Sequence, residues 1–165
     1  MKVFISYAHT PGDTPVAQYL AARLRDIGID TWLDEAKLRG GDLLQPAIEK
    51  AIGESNAGLF IISPSWLERE WTAFELDQFD RRDPRVVRRI PILRSNRKEL
   101  SLPPPLVKMT CIPWLEEDGD GDARFWQIYC ALTDTEPGPS AEWTKRGQTV
   151  SKSSARIVPP AVARP

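Results

Sequence analysis

Short apolar runs alternating with amphipathic stretches predict an α/β fold, a flavodoxin-like three-layer sandwich around a five-stranded parallel sheet of order 2-1-3-4-5. Three observations carry this expectation. Residues 57–62 are continuous in apolar or small side chains, as strands covered on both faces are, and 3–7 and 29–33 are short, mostly apolar runs. The stretches between them repeat apolar residues three and four apart, the spacing of a helix with one buried face. Strands separated by helices need right-handed crossovers, and those make neighbouring strands parallel.

The first strand covers 3–7. Thr14 is placed to cap the helix that follows, with Pro15 in its first turn and Val16, Leu20, Leu24 and Ile27 on one face before Gly28 ends it. The second strand, 29–33, leads into a loop over 34–41. Asp42 can then cap a helix carrying Leu44, Ile48 and Ile52 as far as Gly53. The third strand, 57–62, is followed by the break Ser63-Pro64-Ser65 and a short helix opened by Trp71. Residues 89–93 form a fourth strand, although Pro91 cannot donate to a ladder. Residues 108–112 form a fifth, and 122–132 a last helix turning Phe125, Ile128 and Leu132 inward. Beyond 133 the composition becomes polar and proline-rich. It offers too little apolar area to order itself, so the expected organisation is a domain over 1–133 and a linker or tail over 134–165. A chain ending in such a segment reads as cut from something longer, with a frayed natural tail as the alternative.

With 165 residues the chain is long enough to bury a sizeable core as one domain. Its formal net charge of -1 gives no global attraction to nucleic acid or an acidic membrane. Cys111 and Cys130 lack disulfide-framework or C-x-x-C spacing, and with His9 as the single histidine no tetrahedral zinc site forms without carboxylates, so no metal is expected. No apolar run approaches the roughly 18 residues of a membrane span. The N-terminus runs straight into the first strand, so no signal peptide is expected and the expected location is cytoplasmic. Asp118-Gly119-Asp120-Gly121-Asp122 imitates a calcium loop, but Ala123 and Tyr129 stand where the glycine and bidentate glutamate are required. G-x-G-x-x-G, G-x-S-x-G and Walker lysine motifs are absent, which argues against a dehydrogenase, a serine hydrolase and a P-loop enzyme. Eight basic residues between Arg81 and Lys98 read as a solvated face, or as a surface for phosphates or for the acidic loop of another copy.

In a sheet of this order the crevice opens where the winding reverses, between the loops after strands one and three. Those loops hold Tyr7, Ala8 and His9 and the stretch from Ser63 to Glu75. Trp71 and Glu75 stand four apart, on one helical face. A ring that stacks on a flat ligand, beside a carboxylate that binds sugar hydroxyls, suits a nucleotide. A core aromatic beside a solvated acid is the other reading of the same spacing.

Four stretches in order resemble a bacterial Toll/interleukin-1 receptor (TIR) domain: Phe4-Ile5-Ser6-Tyr7-Ala8-His9; 33–42, with Asp34 and the closing Gly41-Asp42; 60–67, leading to Trp71 and Glu75; and Phe125-Trp126. This resemblance covers roughly 1–132 and implies one of two kinds of work. Some members only assemble with like domains; others cleave the nicotinamide–ribose bond of NAD+ with a glutamate four residues after a tryptophan. It implies Glu75 as the catalytic carboxylate, with Tyr7, Ala8, His9, Asp34, Arg39, Ser63 and Trp71 binding substrate, NAD+ as substrate and no further cofactor. It also implies, as partners, other copies of the chain in an active oligomer or filament and a fused or separate sensor domain in antiphage defence, with no membrane and no direct nucleic acid. The alternative is a non-catalytic TIR–TIR assembly module.

Overall fold

The computed structural model describes residues 1–33, 44–83, 87–115 and 119–152, with 44, 70–73, 151 and 152 described by backbone alone. In chain order the elements are β1 (Lys2–Ser6), α1 (Asp13–Asp26), β2 (Asp30–Leu33), α2 (Leu44–Glu54), β3 (Ala57–Ile62), α3 (Pro64–Leu67), α4 (Glu70–Asp80), β4 (Arg88–Leu93), α5 (Pro104–Val107), β5 (Ile112–Pro113), α6 (Gly121–Thr133) and α7 (Trp143–Lys152). The five strands form one sheet of order β2-β1-β3-β4-β5, and every pairing is parallel. The expected topology is present.

Strand alternation divides the core into two layers. Val3 and Ile5 of β1, Leu59 and Ile61 of β3, and Ile90 and Ile92 of β4 pack under α1 and α6, with Leu20, Leu24, Phe125 and Ile128. Phe4, Trp32, Phe60 and Ile62 face the other way, against Ile48 and Ile52 of α2, Trp66 of α3, and Leu76 and Phe79 of α4. Trp32 is a core residue, its ring stacked on Phe4 at 4.9 Å and 10°. Gly28, at φ +82°, closes α1 in a conformation other residues avoid.

Pro91 fits inside β4 for a geometric reason. The amides of Arg88 and Arg94 donate to Asn56 and Ile62, on the β3 side, so the odd-numbered positions between them face the other neighbour. There β5 begins to pair only at Ile92. The N–H that proline lacks therefore points where no strand partner stands.

Several boundaries differ from the sequence expectation. Helix α1 starts at Asp13, ahead of the expected Thr14 cap, because Asp13 turns its side chain into the protein. The four-residue helices α3 and α5 are additions, started by Pro64 and Pro104 and too short to show a period. Strand β5 is shorter and later than 108–112, since Leu106 is buried by α5 and the Met109 amide closes back on its carbonyl. The Asp42 cap lies outside the described residues.

Within the stretch expected as a linker, 134–165, Trp143–Lys152 form α7, which packs on α6. Polar anchors hold it where apolar area is scarce. The Trp143 indole donates to the Gly138 carbonyl at 3.0 Å, and the Arg146 guanidinium lies 5.5 Å from the Trp126 ring centre. Arg23 bridges to Asp122 at 2.8 Å and to the Gly147 carbonyl at 3.2 Å. A Cβ at Gly147 would lie 2.0 Å from the Asp122 carbonyl oxygen, so the two backbones meet there as only glycine allows. Gly147→Ala is expected to lower stability by about 1–3 kcal/mol, as overpacking does, read from urea unfolding. Asp120 caps α6 through the Ala123 amide at 2.9 Å and accepts from the Thr144 hydroxyl. Those contacts, the hydroxyl first, hold its carboxyl below the ordinary 3.8. A depressed carboxyl stabilises the fold above its unfolded value, and that contribution is lost as pH falls through the folded one. Acid below about pH 4 is therefore expected to loosen α7, followed by tryptophan fluorescence, and Thr144→Val to flatten that acid dependence.

Candidate functional site

Strand β1 is the point where the winding reverses, with β2 on one side and β3 on the other. At its carboxyl end the loops after β1 and β3 are tied together. The Arg69 guanidinium donates to the Tyr7 carbonyl. Ser63 caps α3, accepting from the Trp66 amide at 3.1 Å, and its hydroxyl donates to the Asp13 carboxylate. The other oxygen of Asp13 lies 3.5 Å from Arg94 Nε at the end of β4, both side chains being less than a tenth exposed. Arg94 also donates to the Trp114 carbonyl at 2.6 Å and the Gly12 carbonyl at 3.3 Å. One buried cation thus joins the loops after β1, β4 and β5.

Beneath these loops lies Glu75. Helix α4 carries Leu76 and Phe79 into the α2–α4 layer, and Glu75 faces inward beside them at 0 % exposure. Its Oε2 accepts from the hydroxyl of Ser6, the last residue of β1. Ser6 Oγ in turn accepts from the Trp66 indole at 2.9 Å. Trp66 stands edge-on to Phe60, at 6.1 Å and 75°. A carboxylate enclosed in an apolar layer is heavily penalised unless it is hydrogen-bonded, so the hydroxyl at the strand end is essential to the arrangement.

The expected substrate-binding residues fall into four groups. Tyr7, Ala8 and Ser63 are buried at the carboxyl ends of β1 and β3. His9 is exposed, its ring 4.6 Å from that of Tyr7. Trp71 lies one turn before Glu75 in α4, described by its backbone. Asp34 and Arg39 lie outside the described residues. Glu75 stands below the crevice, enclosed more deeply than an acid lining an open cleft would be. The structure adds Ser6, Asp13, Trp66, Arg69 and Arg94, none of which the sequence marks as a candidate. Ser6 carried a signal: two residues after Phe4 in an apolar strand, it puts a hydroxyl on a buried face. The arginines carried none, because their partners are carbonyls distant in sequence.

Two grooves lined by described residues lie elsewhere. One of about 580 Å³ runs past Gly12, Arg94 and Trp114; the other, about 730 Å³, lies past Arg88, Cys130 and Trp143. Neither reaches Glu75. Both cysteines are free, and burial pushes the Cys130 thiol up to about 11, which leaves it a poor nucleophile. Among the described residues no group of three His, Cys, Asp or Glu could hold a metal ion, and no helix is long and apolar enough to cross a membrane.

The chain is similar to several curated proteins. It is 39% identical over 74 residues to the 2' cyclic ADP-D-ribose synthase BtTIR of Bacteroides thetaiotaomicron, covering 45% of this chain and 25% of that protein. Against the NAD(+) hydrolase PdTIR of Paracoccus denitrificans it is 36% identical over 75 residues, 46% of this chain and 25% of that protein. Against the NAD(+) hydrolase TcpC of Escherichia coli O6:H1 the figures are 37% over 103 residues, 59% and 33%. The chain thus spans a quarter to a third of the length of these relatives. Among solved structures, the TIR domain of the Toll-related receptor TRR-2 from Hydra magnipapillata superposes with a TM-score of 0.60 at 26% identity, covering 77% of this chain and 93% of that one. A TIR-STING receptor from C. gigas superposes with a TM-score of 0.55 at 29% identity, covering 66% and 36%. The sheet order, the reversal at β1 and the match of a TIR domain family model to residues 3–128 agree, and the chain belongs to the TIR domain family.

Proposed function

We propose that this chain cleaves the nicotinamide–ribose bond of NAD+, with Glu75 as its catalytic carboxylate. The observation that carries the reading is a glutamate buried at the point where the winding reverses, its carboxylate bonded to the end of β1. The similarity to proteins named NAD(+) hydrolase and 2' cyclic ADP-D-ribose synthase supports it.

The chemistry suits a single carboxylate. As the bond between ribose C1′ and the nicotinamide ring nitrogen breaks, its electron pair leaves with the ring, which departs neutral. Positive charge develops on the ribose, and an ionised carboxylate beside it lowers the barrier. Water then adds to C1′ and loses a proton, giving ADP-ribose; a hydroxyl of the same molecule in place of water gives a cyclic product. No metal or further cofactor enters the proposal.

Enclosure of Glu75 sets a condition on this activity. A substrate reaches the carboxylate only when the surrounding chain moves, and docking of further copies is the proposed cause of that movement. The partners proposed with the activity are accordingly NAD+, other copies of the chain and a sensing domain, in cytoplasmic defence against phage. The enclosure is also the one observation favouring a domain that assembles without catalysis.

Nicotinamide release from NAD+, compared between the wild type and Glu75→Gln at low and very high protein concentration, separates the two readings. The expected outcome is release that rises steeply with concentration and falls at least about a hundredfold in the variant. Equal release by Glu75→Gln would remove Glu75 from the mechanism, and a folded wild type that releases nothing would leave assembly alone. Asp13→Ala strips Arg94 of its buried carboxylate partner and is expected to lower stability by about 3 kcal/mol. Its measurement is denaturant unfolding.

A further inference from the structure

We propose that Ser6 and Trp66 form a hydrogen-bonded relay that positions the Glu75 carboxylate for reaction, Ser6 touching it directly and Trp66 acting through Ser6. The inference rests on the proposed role of Glu75 and adds two positioning residues to it.

The direction of each bond follows from the donor inventory. An indole N–H only donates, so at 2.9 Å from Trp66 Nε1 the Ser6 oxygen is an acceptor. The single proton of the hydroxyl is thereby directed to its other neighbour, Glu75 Oε2. A hydroxyl polarised by one donor donates more strongly to the next acceptor, the more so away from water. All three side chains are at most 1 % exposed, so no solvent competes for these bonds.

Each member is fixed by a separate element. Ser6 ends β1 in register with Phe60 of β3, at the centre of the sheet. Trp66 belongs to α3, whose first turn is capped by Ser63, and its ring stands against Phe60. Glu75 comes from α4. A four-residue helix between β3 and α4 thus has a definite task, presenting an indole N–H to the strand end. Fixing one oxygen of Glu75 against β1 sets where its charge stands relative to the loops that would hold the ribose, and small displacements of a catalytic group lower rate steeply.

A double-mutant cycle on nicotinamide release, with melting temperatures recorded beside it, tests this. Ser6→Ala is expected to lower kcat about ten- to a hundredfold with KM changed less than about twofold. Trp66→Phe keeps an aromatic ring at the site, removes the N–H, and is expected to lower kcat about three- to tenfold. The double variant is expected to fall no further than Ser6→Ala, because Trp66 acts only through the serine. Ser6→Thr, which retains the hydroxyl, is expected to recover most of the rate. Additive losses, or a Ser6→Ala variant that keeps its kcat while Glu75→Gln does not, overturn the relay and leave the proposed activity standing. A folded wild type without release, or a Glu75→Gln variant as active as the wild type, overturns the proposed activity and the positioning role with it. The hydrogen bonds themselves are read independently of turnover in protein carrying 15N-labelled tryptophan. The Trp66 indole proton is expected to exchange slowly, and to shift and exchange faster in Ser6→Ala. An unchanged indole signal overturns the relay whatever the activity.

Discussion

An acid with no exposed surface, inside a layer built from Phe, Trp, Ile and Leu, is the constraint around which the rest of this chain is arranged. Removing a carboxylate from water is unfavourable by several kcal/mol, and close hydrogen bonding must offset most of it. Part of that offset comes from Ser6 at the end of a central strand. The location follows from topology, since only there does a strand end face two loops leaving in opposite directions. A glutamate retained under those conditions argues for a task that a leucine could not perform, because stability alone would favour the leucine.

Around it the fold spends polar contacts on keeping loop backbones still. Arg69 fixes the loop after β1 through a carbonyl; Ser63 and Asp13 join the loops after β3 and β1; Arg94 collects the ends of three connections. Most of these bonds run between residues far apart in the chain, and the arginines among them hold backbone carbonyls. The result is a tied rim over a buried acid. Reactions on such an acid are governed by what opens the rim, which is why proposed activity and proposed assembly belong to one account.

Much of this was legible in the sequence, and the missing parts have physical causes. Residues 57–62 announce a doubly covered strand because every side chain there is apolar or small, and right-handed crossovers then leave few sheet orders. Glu75 could be placed below the reversal from its spacing to Trp71 and the preceding strand. Its enclosure could not be seen, since that depends on Ser6 and Trp66, whose bonds to one another and to the acid arise only in the folded chain. Helices α3 and α5 are shorter than one period of the pattern that reveals helices. Helix α7 hid for a different reason: its order comes from Trp143, Arg146 and the bare backbone at Gly147, each satisfied by another element, while its own sequence is polar.

Pro91 carries a last consequence. Buried in β4 with its backbone nitrogen toward the two-residue β5, it leaves a gap in the row of amide donors on that side of the sheet. A strand from another molecule laid there would find neither a continuous ladder nor the length to build one. The β2 margin, Asp30–Leu33, contains no proline. The margin beside β5 is therefore protected against strand addition.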